Sequence, residues 1–282
     1  MTRNAYFDVE RWYCTFGSQL PIVIVTLGLM PWPEILAVVF PTPWHFLVAC
    51  VALFVAELVY VLLGFGAGLI AVGTLALVLP EIRDVVVIVL LVNLPAEIFV
   101  VWISRREIRK RGVLLLGVGV AVGIPIGGWI LTFGEPAFLL GLLGLVLAAV
   151  GGVFLVVPDG AGLKLPSVAG PIFGLVSGLL TGLFGTGGPP LVLFFRLQGL
   201  AKAAFRGNLM VLFLMMGVIR LPSYIGLGLI TPARLVAGAA VLPVVLAGGV
   251  VGHLIHLDLS ERTFRRIVSA CLVVLGLLLL AS

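Results

Sequence analysis

The chain has 282 residues, of which 62% are hydrophobic and 10% are charged, and its formal net charge is +5. An ordinary soluble domain carries about 25% charged residues, so a soluble core could not hide this much apolar surface, and a soluble enzyme is excluded. The composition instead predicts an all-α, polytopic transmembrane protein with about eight to ten crossings of roughly 20 residues each.

Apolar runs follow one another along the chain after a polar tail. They lie at 21–39, 46–63, 67–80, 85–103, 113–132, 137–157, 167–183, 188–200, 207–227, 235–256 and 264–281. Most of them are long enough to span a membrane. The runs 67–80 and 188–200, however, would rise only about 18–21 Å against a hydrocarbon core of about 30 Å. Each of these short runs directly follows a glycine-rich break.

Similar motifs recur in the same order in the two halves of the chain, which indicates an internal repeat. The matching pairs are Gly64–Gly68 with Leu183–Pro190, Asn93–Glu97 with Arg220–Tyr224, Pro125–Gly128 with Pro243–Gly249, and Glu135–Phe138 with Glu261–Phe264. We therefore predict two repeats of five segments, each with a hairpin of a broken and a short helix. The expected divisions are a tail with an extra helix at 1–45, repeat 1 at 46–157, a linker at 158–166 and repeat 2 at 167–282.

The positions of the basic residues predict the orientation. The loop 104–112 holds five Lys and Arg residues, and the positive-inside rule places it in the cytoplasm, together with the N-terminus and the linker. Only Arg83 and Arg234 fall in loops on the opposite side. Because each repeat has five segments, the second repeat begins on the other side of the membrane, so the repeats are inverted, as in many secondary transporters. We expect the bacterial cytoplasmic (inner) membrane as the location.

The two glycine-rich breaks form the first part of a candidate substrate site. Glycine permits positive φ and close backbone approach, and the first N–H groups of a helix lack intrahelical acceptors, so two such helix starts facing each other suit an anion. The candidate substrate-binding residues in the breaks are Gly66, Gly68, Gly185, Thr186, Gly187 and Gly188. The alternative is that these glycines serve only helix packing, as small residues often do in membranes.

Polar residues inside the apolar runs form the second part. They are Glu57, Asn93, Glu97, Asn208 and Arg220, and such groups are costly in a membrane unless they face a partner, a cavity or water. We expect Arg220 to supply a fixed positive charge for an oxyanion, with Asn93 and Asn208 as further substrate-binding candidates. Glu57 and Glu97 are candidates for carrying a coupling proton. The alternative is a structural ion pair of Arg220 with Glu97 or Glu57.

Cysteine usage and catalytic motifs give no sign of an enzyme, a cofactor or a metal. Cys14, Cys50 and Cys271 form no CxxC and no cluster with histidine. The sequence also lacks GxSxG and HExxH. The basic residues lie in short loops rather than in a basic domain, so nucleic acid is not an expected partner.

Taken together, the motifs resemble the sulfite exporter TauE/SafE family of membrane permeases. The resemblance covers roughly residues 46–282 and rests on Gly64–Gly68, Gly178–Pro190, Arg206–Asn208, Arg220–Pro222, Leu257–Glu261 and Phe264–Arg266. It implies transport of sulfite, sulfonates or related sulfur anions, driven by an ion gradient across the membrane.

The sequence thus leads to a functional hypothesis with two alternatives. We expect a secondary transporter that exports a small anion, sulfite or an organosulfonate, by alternating access at a site between the two breaks. The expected partners are the anionic substrate, the lipid bilayer and a coupling ion, either a proton or sodium. The alternatives are a passive anion channel and, from another class, an intramembrane enzyme that acts on lipid phosphates.

Overall fold

The structure, a computed structural model, describes residues 32–63, 67–104, 110–156, 166–198, 202–254 and 261–281. Within these residues the regular elements are helices. They are α1 (Trp32–Val39), α2 (Pro43–Leu63), α3 (Ala67–Ala76), α4 (Ile82–Ser104), α5 (Lys110–Phe133), α6 (Pro136–Val156), α7 (Gly170–Phe184), α8 (Gly188–Leu197), α9 (Lys202–Gly226), α10 (Pro232–Leu254) and α11 (Glu261–Ala281). The predicted tail up to residue 31, the basic positions 105–109 and most of the predicted linker lie outside the described residues.

Several helices have the length and composition of membrane spans. In the described part of the chain, five apolar segments are long enough to cross a bilayer, namely Pro43–Val61, Val113–Phe133, Pro136–Leu155, Gly207–Gly226 and Pro232–Leu254. Large apolar side chains such as Val118, Trp129, Ile172 and Leu277 are exposed on the outer surface, as expected where the surrounding solvent is hydrocarbon. These features confirm the prediction of an all-α, polytopic membrane protein.

The two short apolar runs form short helices in the interior. Both α3 and α8 have 10 residues, which corresponds to about 15 Å, or half of a hydrocarbon core. Each packs against the longer helix that precedes it, α3 against α2 and α8 against α7. Their apolar side chains are buried, including Val72 and Leu75 on α3 and Leu191 and Phe195 on α8. Their N-termini therefore lie inside the protein rather than at its surface.

Helices α5 and α7 make the closest helix pair, through facing rows of glycine spaced four residues apart. The rows are Gly119, Gly123 and Gly127 on α5 and Gly174, Gly178 and Gly182 on α7. A Cβ added at Gly123 would lie 2.5 Å from the carbonyl oxygen of Leu175, and one at Gly178 would lie 2.7 Å from that of Val120. Contact between the two backbones is thus possible only without side chains at these positions.

Two further helix pairs use the same kind of contact. Helix α6 packs along α11, where Gly144 and Gly276 lie against each other's backbone, and α2 packs along α10 at Gly248.

Helices α4 and α9 also pack against each other, and each carries a proline inside the helix, Pro95 and Pro222. Helix α4 lies next to α3, and α9 lies next to α8.

The two arginines that depart from the expected charge distribution are both paired locally. Arg83 donates hydrogen bonds to the carbonyl oxygens of Leu131, Thr132 and Gly134 at the end of α5, where the helix dipole favours a cation. Nε of Arg234 lies 2.6 Å from the carboxylate of Asp84, which joins the start of α10 to the start of α4. These two side chains therefore connect helix ends.

We expect Gly123→Ala to destabilise the protein because its new Cβ would collide with the α7 backbone, at a cost of at least the ~1–3 kcal/mol of ordinary overpacking. The matched control is Gly152→Ala on α6, where an added Cβ meets no atom within 4 Å. Thermal unfolding of the purified proteins in detergent measures the effect. Equal melting temperatures for the two variants would contradict the close α5–α7 contact.

Candidate functional site

A polar cavity lies inside the protein, at the N-terminal ends of α3 and α8. Its volume is about 70 Å³, enough for a few water molecules or one small ion. Residues from α2, α3, α4, the α7–α8 segment and α9 line it: Glu57, Tyr60, Gly68, Leu69, Leu90, Asn93, Glu97, Thr181, Gly185, Thr186, Gly187, Gly188, Pro189, Phe213, Met216, Gly217 and Arg220.

The segment between α7 and α8 is held in place by local hydrogen bonds. Gly185 caps the C-terminus of α7 with a φ of +70°, a left-handed conformation that favours glycine. The N–H of Gly185 donates to the carbonyl oxygen of Thr181 at 2.8 Å. The hydroxyl of Ser177 donates to the carbonyl oxygen of Gly187. The hydroxyl of Thr181 donates to the backbone carbonyl oxygen of Ser177 at 2.8 Å. The last turns of α7 thus fix the path of the break.

Helix α8 begins at Gly188 with its N-terminus at the cavity. Pro189 and Pro190 follow in the first turn, where a missing N–H costs nothing because that group would have no intrahelical acceptor. The start of a helix carries partial positive charge, so the electrostatic potential here favours an anion.

The two glycine-rich breaks of the sequence touch each other. A Cβ added at Gly68, in the first turn of α3, would lie 2.8 Å from the carbonyl oxygen of Gly185. The starts of α3 and α8 therefore border one shared cavity. Gly66, the other candidate in the first break, lies outside the described residues.

Arg220 is a buried cation beside the second break, with 4% of its surface exposed. Its Nη2 donates to the carbonyl oxygen of Val86 on α4 at 2.7 Å, and its Cζ lies 4.9 Å from the ring centroid of Tyr224. A Cβ added at Gly185 would lie 2.6 Å from Nη1, so the guanidinium lies directly against the backbone of the break. Three helices thus fix its position.

The structure does not show the ion pair that was the alternative role for Arg220. In the described part of the chain, the ion pairs within 4 Å are Arg83–Glu81 and Arg234–Asp84, and neither includes Arg220. Its contacts are instead with a carbonyl oxygen and an aromatic face, neither of which carries a full negative charge. Among the described residues Arg220 thus has no carboxylate within 4 Å, although Glu97 is near enough to interact with it electrostatically.

Two polar atoms in the lining residues are buried without a hydrogen-bond partner. They are Oγ1 of Thr186 and Nε of Arg220. An unpaired buried donor costs roughly 1–3 kcal/mol, so native proteins keep few of them, and each one calls for a physical explanation. Both residues line the cavity, so an oxygen of a bound anion is a candidate partner for each of them.

The two carboxyl candidates line the same cavity. Glu57 is buried on α2 and faces α10, where a Cβ at Gly249 would lie 3.6 Å from its Oε1. Glu97 is half-buried on α4 and faces α9, where a Cβ at Gly217 would lie 2.8 Å from its Oε2. Asn93 lies one turn before Glu97 on the same helix and also lines the cavity. Each carboxyl group therefore sits opposite a glycine.

Asn208 is the one described site candidate that is not among the lining residues. It is buried, with 1% of its surface exposed, on the same helix as Arg220. The separation of twelve residues, however, puts it about 18 Å along the axis from Arg220. The structure thus places Asn208 away from Arg220.

Several residues with a place at the site were not singled out from the sequence. Tyr224 is fully buried, stacks on Arg220 and donates its hydroxyl hydrogen to the carbonyl oxygen of Gly182 at 2.8 Å. Its spacing of four residues from Arg220 was a usable signal, because such residues share a helix face. Tyr60, Phe213 and Met216 also line the cavity, but nothing in their sequence context distinguishes them from core residues.

An apolar groove lies on the other side of the α8 start. Its volume is about 300 Å³, and it is lined by side chains of α6, α7 and α8, among them Val153, Phe154, Ile172 and Leu193. Pro189 lines both the groove and the polar cavity.

Comparisons with known proteins agree with this architecture. The family model described as Sulfite exporter TauE/SafE matches residues 48–279. The "Probable sulfite/organosulfonate exporter TauE" of Cupriavidus necator is 29% identical over 218 residues, which cover 76% of this chain and 85% of that protein. The "Probable inner membrane transporter protein TsaS" of Comamonas testosteroni is 26% identical over 191 residues, covering 67% and 80%. No solved structure gives a significant match.

The names of these relatives describe transporters and not enzymes, in agreement with the prediction that the chain is not an enzyme. The family match extends over most of the chain and includes both glycine-rich breaks and Arg220. The chain is therefore an integral membrane protein that belongs to the sulfite exporter TauE/SafE family of transporters.

Proposed function

We propose that the protein is a secondary transporter that exports a small sulfur oxyanion, sulfite or an organosulfonate. The anion binds in the polar cavity between the two breaks and moves by alternating access. Arg220, Thr186 and the glycine backbone at 185–188 form the main contacts, with Gly66, Gly68 and Asn93 completing the site. We assign Asn208, which does not line the cavity, to another part of the substrate's path.

The observation that carries the proposal is the pair of unpartnered polar atoms at the cavity. Arg220 brings a full positive charge and Thr186 a hydroxyl, beside the positive end of α8. Hydrogen bonds to an ionised group are roughly twice as strong as those between neutral groups, so an oxyanion gains more from these donors than a neutral solute does. The site is small, which favours a compact anion.

The relatives support the class of substrate and the location. The Cupriavidus necator protein is named as an exporter of sulfite and organosulfonates, and this chain aligns with 85% of its length. The Comamonas testosteroni protein is named as an inner membrane transporter. We extend both statements to this chain, with its N-terminus and the basic loop 104–112 in the cytoplasm.

The packing of the helices supports two equivalent repeats. The proposed repeats pair α2 with α7, α3 with α8, α4 with α9, α5 with α10 and α6 with α11. If the members of each pair are exchanged, the α5–α7 contact corresponds to the observed α10–α2 contact. In the same way, the α4–α10 contact corresponds to the observed α9–α5 contact. The α4–α9 and α6–α11 pairs are exchanged onto themselves. A two-fold relation between 46–157 and 167–282 produces this pattern, with residues 1–45 outside it, and inverted repeats are the usual basis of alternating access.

The carboxyl groups favour a coupled carrier over a passive channel. Glu57 and Glu97 both line the cavity, where two negative charges repel an anion unless they bind a cation. A channel selective for anions has no use for them, whereas a carrier can use them to hold a coupling proton or sodium ion.

We expect Arg220→Gln to raise the KM for sulfite transport roughly 10–100-fold, because it removes a charge-assisted contact of about 1.5–3 kcal/mol. Arg220→Lys, which keeps the charge but loses the planar fork, should recover only part of the affinity. The measurement is uptake of radiolabelled sulfite and sulfoacetate into proteoliposomes. The matched control is Arg266→Gln, an exposed arginine on α11, which should transport like wild type. Wild-type kinetics for Arg220→Gln would overturn the assignment.

We expect Thr186→Val to weaken anion binding about 2–13-fold, the equivalent of one hydrogen bond of about 0.5–1.5 kcal/mol. The same change should leave the empty protein as stable as wild type or more so, because it removes a buried hydroxyl that lacks a partner. Thr132→Val is the matched control, since its hydroxyl donates to the carbonyl oxygen of Gly128 at 2.8 Å, away from the cavity. That variant should lose stability and keep affinity. Melting temperatures with and without sulfite measure both effects.

A further inference from the structure

The cavity contains more negative than positive side chains. Among the described residues that line it, the titratable groups are Arg220, the carboxyls of Glu57 and Glu97, and the phenol of Tyr60. No other charged side chain among the described residues lines the cavity. Gly249 of α10 faces Glu57, and Gly217 of α9 faces Glu97. With both carboxyls ionised, the empty site would carry a net charge of minus one.

The position of these groups decides how much net charge the site tolerates. Gly217, which Glu97 faces, lies one helical turn from Arg220 on the same face of α9, so Glu97 and Arg220 are close neighbours across the cavity. Within a membrane protein an uncompensated charge is costly, because little solvent screens it. The empty site is therefore best balanced when Arg220 is charged and the two glutamates share one proton.

Binding of a monoanion changes this balance. The anion pairs with Arg220 and neutralises its positive charge. The one glutamate that is still ionised then has no positively charged partner and faces the anion. Neutrality is restored when that carboxylate takes up one proton, so that both glutamates are protonated in the loaded state. The empty site with one proton and the loaded site with two protons and one anion are then both neutral.

We infer that the Glu57–Glu97 pair takes up one proton for each monoanion bound at Arg220, so that the protein carries anion and proton together in an electroneutral cotransport. This inference rests on the proposed function and adds to it the coupling ion, the stoichiometry and the direction of coupling. Because no net charge moves, the membrane potential does not drive transport. The direction of flux follows the product of the anion and proton concentrations on the two sides, so an anion that accumulates in the cytoplasm leaves with protons.

The wild-type protein in proteoliposomes provides the first test. The probe is radiolabelled methanesulfonate, which remains a monoanion throughout the working pH range, unlike sulfite. With the outside one pH unit more acidic, one-to-one coupling predicts about tenfold accumulation inside, because one pH unit is a tenfold proton gradient. A potential imposed with potassium and valinomycin should leave the accumulation unchanged. Accumulation that follows the potential, or that follows a sodium gradient at equal pH, would overturn the inference.

Substitution of the two glutamates provides the second test. Glu57→Gln and Glu97→Gln each leave one carboxyl to exchange a proton, so each single variant should still accumulate methanesulfonate in response to a pH gradient. The double variant cannot bind a proton, so its flux should ignore the pH gradient and respond to the potential. A double variant that remains coupled would contradict the role of the pair.

The outcomes separate this inference from the proposed function. If wild-type protein carries neither sulfite nor methanesulfonate under any gradient, the proposed function itself fails. If it carries them with a response to potential and none to pH, the function stands and the coupling is wrong. Should the double variant fail to fold, the wild-type gradient experiment still decides the question.

Discussion

The structure depends on the contact between two backbones at Gly68 and Gly185. This contact brings the starts of α3 and α8 to one cavity, and no side chain fits between them. Arg220 fills the space on the other side of Gly185, held by the carbonyl oxygen of Val86 and the ring of Tyr224. This arrangement brings the helix starts and a guanidinium to the same small volume, which Glu57 and Glu97 line as well.

The glycine rows on α5 and α7 help to hold the Gly68–Gly185 contact in place. They allow the two backbones to touch, which fixes α7 and therefore the position of the break at its end. Tyr224 adds a second constraint, since its hydroxyl is bonded to Gly182 in the last turn of α7 while its ring contacts Arg220. The distance between the cation and the break is thus set by packed, rigid elements, as a binding site requires.

The sequence predicted the short helices and most of the cavity, because breaks and intramembrane charges are rare and therefore informative. Glu57, Glu97, Asn93 and Arg220 all line one cavity. Asn208 does not, since polarity within an apolar run indicates burial but not which neighbours a residue meets. Phe213 and Met216 escaped notice for the opposite reason, because an apolar residue in an apolar run carries no distinguishing mark. Their positions depend on tertiary packing alone.

Pro189 separates the charged cavity from the apolar groove between α6, α7 and α8. The wall between the anion's environment and hydrocarbon is therefore one residue thick at this point. A movement of the α8 start would change the shape of the groove as well as that of the cavity, because Pro189 belongs to both. In the proposed carrier, an acyl chain or another hydrophobic molecule in the groove would therefore hinder that movement without entering the polar cavity.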